Sequence, residues 1–203
     1  MLPFLCRLGV ATAVMIITLA GMIALPHDTY IRWQAVKTEA YARLGWIYER
    51  IHYDDTPIDI AFIGTSHTME GVDAEAVEHD LDEAGARPGD PDRCLHTVNF
   101  AVPSYGRDLQ WIIARELLTH RRVKVLVLEV FENESRRAHP LFVDVADTSD
   151  ILDAPMVVNI NYLHNLVRLP FRQLSLWAKS LSRAVWRGST LGGDRYPLLS
   201  LTP

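Results

Sequence analysis

Leu8 to Leu25, LGVATAVMIITLAGMIAL, is a run of 18 uncharged and mostly apolar positions near the start of a 203-residue chain. No other feature constrains the fold as strongly, because water is a poor solvent for such a segment. As an α-helix rising about 1.5 Å per residue it spans roughly 27 Å, close to the thickness of a hydrocarbon core. A cleaved signal peptide competes with an anchor, but its apolar region is usually about 7–15 residues and ends at a small-x-small site. Here Met22 stands two places before Ala24, so the exit GMIALPHD is a poor cleavage site. The sequence therefore predicts an uncleaved transmembrane helix within residues 1–28, in contact with membrane lipid. Arg7 flanks it on one side, Arg32 and Lys37 on the other, so the positive-inside rule gives no clear vote. A tail this short usually stays inside, which predicts a single-pass cell-membrane protein with most of the chain extracytoplasmic. Cys6 and Cys94 then lie on opposite sides of the membrane, and no disulfide joins them. The formal charge of −5 gives no case for nucleic acid.

Beyond the anchor, Trp33, Val36, Ala40, Leu44, Ile47 and Ile51 recur every three or four positions and predict a juxtamembrane helix over Tyr30–Tyr53. DDTP (Asp54–Pro57) breaks it, giving a linker region 29–56 ahead of a domain over 57–203. There the pattern alternates. Ile58–Ile63, His96–Phe100 and Val123–Val130 read as strands, Asp73–Ala84 and Arg107–Thr119 as helices, and Gly85–Arg93 as a turn-rich loop. Such alternation implies a parallel sheet covered on both faces, with right-handed crossovers. After Glu134 the signal weakens. Arg136–Pro155 reads as a loop, Met156–Leu169 as a helix whose MVVNI start competes as a fourth strand, and Phe171–Arg187 as a helix after Pro170. Ala154–Gly193 carries no acid but does carry Arg168, Arg172, Lys179, Arg183 and Arg187, which reads either as a solvated helix face or as contact with anionic lipid.

The C-terminal ends of parallel strands share one edge, where ligands bind at a reversal of strand order. Three connections leave that edge: GTSHT with Ser66, AVPSYG with Ser104, and FENES with Asn133. Taken in order, they resemble blocks I, II and III of the SGNH (GDSL-type) hydrolase superfamily. FIGTSHT puts Ser66 in the nucleophile position, NFAVPS puts Ser104 where the family has a glycine whose amide binds the oxyanion, and VFENE puts Asn133 at the asparagine that completes the oxyanion hole. The resemblance covers Ile58–Ser135. It implies a three-layer α/β sandwich with a parallel sheet, SGNH/flavodoxin-like, and an esterase or acyltransferase acting on acyl esters such as those of envelope glycans, with no cofactor.

Several positions depart from the family. Thr65 stands for aspartate, Ser104 for glycine, and Phe131 for the glycine of block III. The Asp-x-x-His that supplies the family's base occurs nowhere in the 203 residues, and Glu49–His52, with the same spacing, precedes the first strand. The sheet also reads short, which suggests a C-terminally incomplete architecture. A non-catalytic envelope binding or scaffold protein, or a fragment of a longer SGNH-like chain, is therefore the alternative.

Each residue also has a plainer reading. Ser66 would suit a helix N-cap; His67, a candidate base, reads rather as a substrate contact or a solvent-exposed site because neighbours on a turn point apart; and Asn133 would suit a turn closed on its own backbone. Asn99 reads as a loop organiser, and His139 and His164 as exposed histidines that compete weakly for the role of base. No Cys/His spacing suggests zinc. GTSHTMEG is neither a phosphate loop nor a Gly-x-Ser-x-Gly elbow.

Overall fold

A computed structural model describes residues 2–36, 42–85, 95–132, 136–153, 157 and 159–181. It is a mixed α/β structure with a three-stranded parallel sheet and one long apolar N-terminal helix. That helix, α1, runs Leu2–Ile23 and so begins before the apolar run does. Its segment Phe4–Ile23 is long and apolar enough to cross a membrane, with none of its apolar window buried. Cys6 is exposed on it, while Cys94 lies outside the described residues.

The chain divides into two compact units, one formed by residues 1–35 and 143–189, the other by 36–142 and 190–203. In the first, α2 (Thr29–Gln34) is capped by the Asp28 carboxylate, which accepts from the Tyr30 N–H at 2.9 Å. The juxtamembrane periodicity read as one helix is two. Ile31 and Trp33 of α2 are buried in this unit, whereas Leu44, Ile47 and Ile51 of α3 (Arg43–His52) are buried in the other. Two separate cores produced one apparent stripe.

The segment read as a loop before residue 155 holds two short helices, α7 (Phe142–Val145) and α8 (Thr148–Asp153). α9 runs unbroken over Tyr162–Leu181, through Pro170. An interior proline costs a helix about 3 kcal/mol. Tertiary burial of Leu169, Pro170, Arg172, Gln173 and Leu176 holds the helix together across it. Arg172 donates to the Ala146 carbonyl at 2.6 Å, and burial lowers its guanidinium to about 10. Arg172, read from the sequence as part of a solvated or lipid-facing basic set, is instead buried on α9. Leu163, Val167, Phe171, Leu174 and Leu181 are exposed, while Arg172 and Gln173 are buried. No strand forms at the described residues of Met156–Ile160, and the expected end of the last helix, beyond Leu181, lies outside the described residues.

In the second unit the sheet has β1 (Ile60–Ile63) at its centre, β2 (Thr97–Asn99) on one side and β3 (Val125–Leu128) on the other. Register pairs Ala61 with Val98 and with Leu126. α4 (Ser66–Gly71) and α5 (Ala74–Glu83) join β1 to β2, and α6 (Arg107–His120) joins β2 to β3. Ile58, Ala61, Ile63, Phe100, Leu109, Ile113 and Leu117 build the core with the α3 residues. The alternation read from the sequence is thus the topology. β3 departs from the expected sheet buried on both faces: Val125, Val127 and Leu128 are 48%, 42% and 48% exposed. Among the described residues it is an edge strand, hydrogen-bonded on one side only.

Candidate active site at the carboxyl edge of the sheet

Strand order reverses at β1: the chain leaves it for β2, then passes to its other side for β3. Pairing continues past the strand ends, with Val102 N–H donating to the Gly64 carbonyl at 3.0 Å and Glu129 N–H to the Ile63 carbonyl at 3.0 Å. The connections after the three strands therefore start side by side. Their side chains meet too. The His67 ring lies 6.3 Å from Tyr105 and 5.7 Å from Phe131, and Tyr105 and Phe131 make an edge contact at 5.0 Å. One ring comes from each connection. Ser66 precedes His67 and Ser104 precedes Tyr105, so the fold brings these two candidate residues to one edge. Asn133 and Glu134 lie outside the described residues.

Ser66 opens α4 but does not cap it. Thr65 is the N-cap, its hydroxyl accepting from His67 N–H at 3.3 Å. The Ser66 hydroxyl is half-buried and makes no hydrogen bond among the described residues. The structural job that would have explained a serine here is done by its neighbour.

Thr65 is itself held by Glu129, which directly follows the apolar strand β3. The Glu129 carboxylate accepts from Thr65 N–H at 2.6 Å, from the Thr65 hydroxyl at 3.0 Å and from the Thr68 hydroxyl at 2.6 Å, with His67 Nδ1 at 3.6 Å. Burial raises its pKa. The hydrogen bonds from Thr65 N–H, Thr68 and Thr65, with the His67 charge, outweigh that and hold it below the ordinary glutamate value. A Cβ on Gly64 would overlap Thr68 Oγ1 and Glu129 Oε2, so the glycine is what lets this carboxylate reach the turn.

Ser104 has φ +80°, the one positive value among the described non-glycine residues. The backbone therefore takes, at the position where the resemblance expects glycine, the conformation that favours glycine. Left-handed backbone costs an L-residue roughly 1–2 kcal/mol, and glycine gives back about 0.5–1 kcal/mol through its freer unfolded chain. Ser104→Gly is accordingly expected to be neutral or stabilising by up to about 1 kcal/mol. A urea midpoint that falls well below wild type would show that the serine side chain, rather than the backbone, is what the turn needs.

Asn99 organises the loop, as expected. Its amide donates to the Thr68 and Val72 carbonyls, both at 2.9 Å, and its Oδ1 accepts from Ala101 N–H at 3.0 Å.

His139 is buried, not exposed. Its Nδ1 accepts from Leu141 N–H at 3.1 Å, and its Nε2–H donates to the Pro103 carbonyl at 2.8 Å. Both nitrogens are committed, so it is no base. Burial lowers its pKa, only partly offset by the Pro103 hydrogen bond. The unfolded chain therefore takes up the proton first as pH falls. Stability from this group is complete above the unfolded value of about 6.5 and is lost as pH drops below it. Urea titrations at descending pH should show that loss, with a shallower slope in His139→Asn. His164 lies on α9, in the other unit.

Compared with family models, curated proteins and solved structures, the chain matches none.

Proposed function

We propose that the chain is a membrane-anchored, SGNH-like serine esterase or acyltransferase, acting outside the cytoplasmic membrane on acyl esters of envelope glycans or similar substrates. Ser66 attacks the acyl carbonyl. The Ser104 N–H and, on the resemblance, the Asn133 side chain stabilise the oxyanion. The Ser66 proton passes to His67, the accessible imidazole at this edge, directly or through one water, with Glu129 orienting the ring. This gives His67 a larger part than its place beside Ser66 suggests, and the carboxylate at 3.6 Å is the reason. The ester C–O bond breaks as His67 returns the proton to the departing alcohol; water or a glycan hydroxyl, giving its proton to His67, then takes the acyl group, and Ser66 regains its proton.

One observation carries this reading. A serine without a hydrogen bond among the described residues shares an edge with a left-handed backbone residue, in the order and positions of the family's first two blocks. The β2–β1–β3 order supports a three-layer α/β sandwich of that type. α1, together with the exposed apolar line on α9, supports lipid contact.

The test is labelling of the full chain in detergent with a serine-reactive phosphonate, followed by peptide mapping. Modification at Ser66 supports the reading, and modification only at other serines removes Ser66 as nucleophile. A non-catalytic binding role is favoured by one fact, the absence of Asp-x-x-His. It predicts no labelling at all.

A further inference from the structure

Away from that edge, α3 and α6 bring His52 together with an i, i+4 Glu–His pair far from it in sequence. His52 ends α3 just before β1, and Glu116 and His120 lie one turn apart at the end of α6 just before β3. Their donor atoms lie within 4.8 Å of one another. His52 Nε2 is 2.7 Å from Glu116 Oε1, and His120 Nδ1 is 3.6 Å from the same oxygen. The two imidazole rings stand 4.2 Å apart. From these contacts we propose that His52, Glu116 and His120 bind a divalent transition-metal ion of the zinc class at the amino edge of the sheet.

The donor set is two imidazoles and one carboxylate, which suits zinc and its neighbours rather than magnesium or calcium. The rings are already oriented. His52 is stacked on Tyr48 at 4.0 Å, and His120 Nδ1–H donates to the Glu116 carbonyl at 2.9 Å, leaving Nε2 as the lone-pair nitrogen. A backbone carbonyl on the second ring nitrogen is the usual outer support of a metal-bound histidine. Tetrahedral zinc at about 2.0–2.2 Å from each ligand needs donors roughly 3.3 Å apart; His52 Nε2 and Glu116 Oε1 already lie 2.7 Å apart, and the exposed His120 side chain has to turn its Nε2 toward them. His52 would ligate through Nε2, its proton moving to Nδ1.

The neighbouring cation, Arg121, is held by the Asp54 and Thr56 carbonyls rather than by Glu116. His120 is 41% exposed, which gives an ion its way in. Three protein ligands leave a position for water. The site lies where the chain enters β1 and β3, so its effect is to fasten α3 to α6.

Equilibrium dialysis of the full chain in detergent against Zn²⁺, carried on a tag free of histidine, tests this directly. One ion per chain is expected, with a raised Tm and a visible ligand-field band when Co²⁺ is used. His120→Ala, at an exposed helix end, and Glu116→Gln should each weaken binding by at least the roughly 10–100-fold that loss of an outer partner costs. The exposed cluster of His79, Asp80 and Glu83 supplies the control. His79→Ala should leave affinity and Tm shift unchanged. Absence of binding, binding unchanged in His120→Ala, or binding lost in His79→Ala would each overturn the assignment.

Discussion

Ser66→Ala is expected to abolish ester turnover while leaving the fold untouched. With the proposed nucleophile gone, kcat/KM toward a small activated acyl ester should fall by about 10³-fold or more, roughly 4 kcal/mol of transition-state stabilisation. The remainder comes from oxyanion stabilisation and binding. Stability should hardly move, because the Ser66 hydroxyl makes no hydrogen bond among the described residues and the cap of α4 belongs to Thr65.

Thr65→Ala is the informative comparison. It removes a cap, worth about 0.5–2 kcal/mol, and one of the hydroxyls that Glu129 holds. Its cost should appear first in the urea midpoint. If Ser66→Ala instead lowers the midpoint and spares turnover, the serine is a structural residue and the assignment of roles is the wrong way round.

Adjacent residues with opposite expected effects show what the sequence could and could not carry. Strand ends were legible because they are local. Ile58–Ile63 and His96–Phe100 switch from apolar to small and polar residues, and the strands stop there. Parallel topology then put Ser66 and Ser104 on one edge. Which hydroxyl would serve the helix and which would face solvent was not legible, because it depends on Glu129, 64 positions from Thr65.

Distance in sequence hid other features as well. His52 pairs with Glu116 rather than with Glu49, which has the right spacing but lies on the same helix. α9 continues through Pro170 because residues around α7 and α8 bury its flank, a tertiary gain that proline's local preference does not report. The left-handed Ser104 was legible only as a question. A serine standing where a family keeps glycine says nothing of φ until the turn is seen.

Gly106→Ala should be strongly damaging, and more so than a methyl group at Gly64, whose nearest neighbours are side-chain atoms. Gly106 has φ +155°, and a Cβ there would overlap His139 at Cβ, Cα and N, two of them backbone atoms that cannot swing aside. Strain of about 1–3 kcal/mol for such a backbone adds to the overlap, against a total stability of about 5–15 kcal/mol for a typical domain. A loss of at least about 3 kcal/mol is expected, read as a urea midpoint far below wild type.

The damage should not stop at packing. His139 N–H donates to Asp108 at 3.0 Å and its ring to Pro103, so displacing it pulls on both flanks of the connection that carries Ser104. Gly106→Ala should therefore weaken phosphonate labelling at Ser66 even in the fraction that folds, through the Ser104 N–H. Labelling that keeps its wild-type rate in that folded fraction would mean that the amide takes no part in holding the oxyanion.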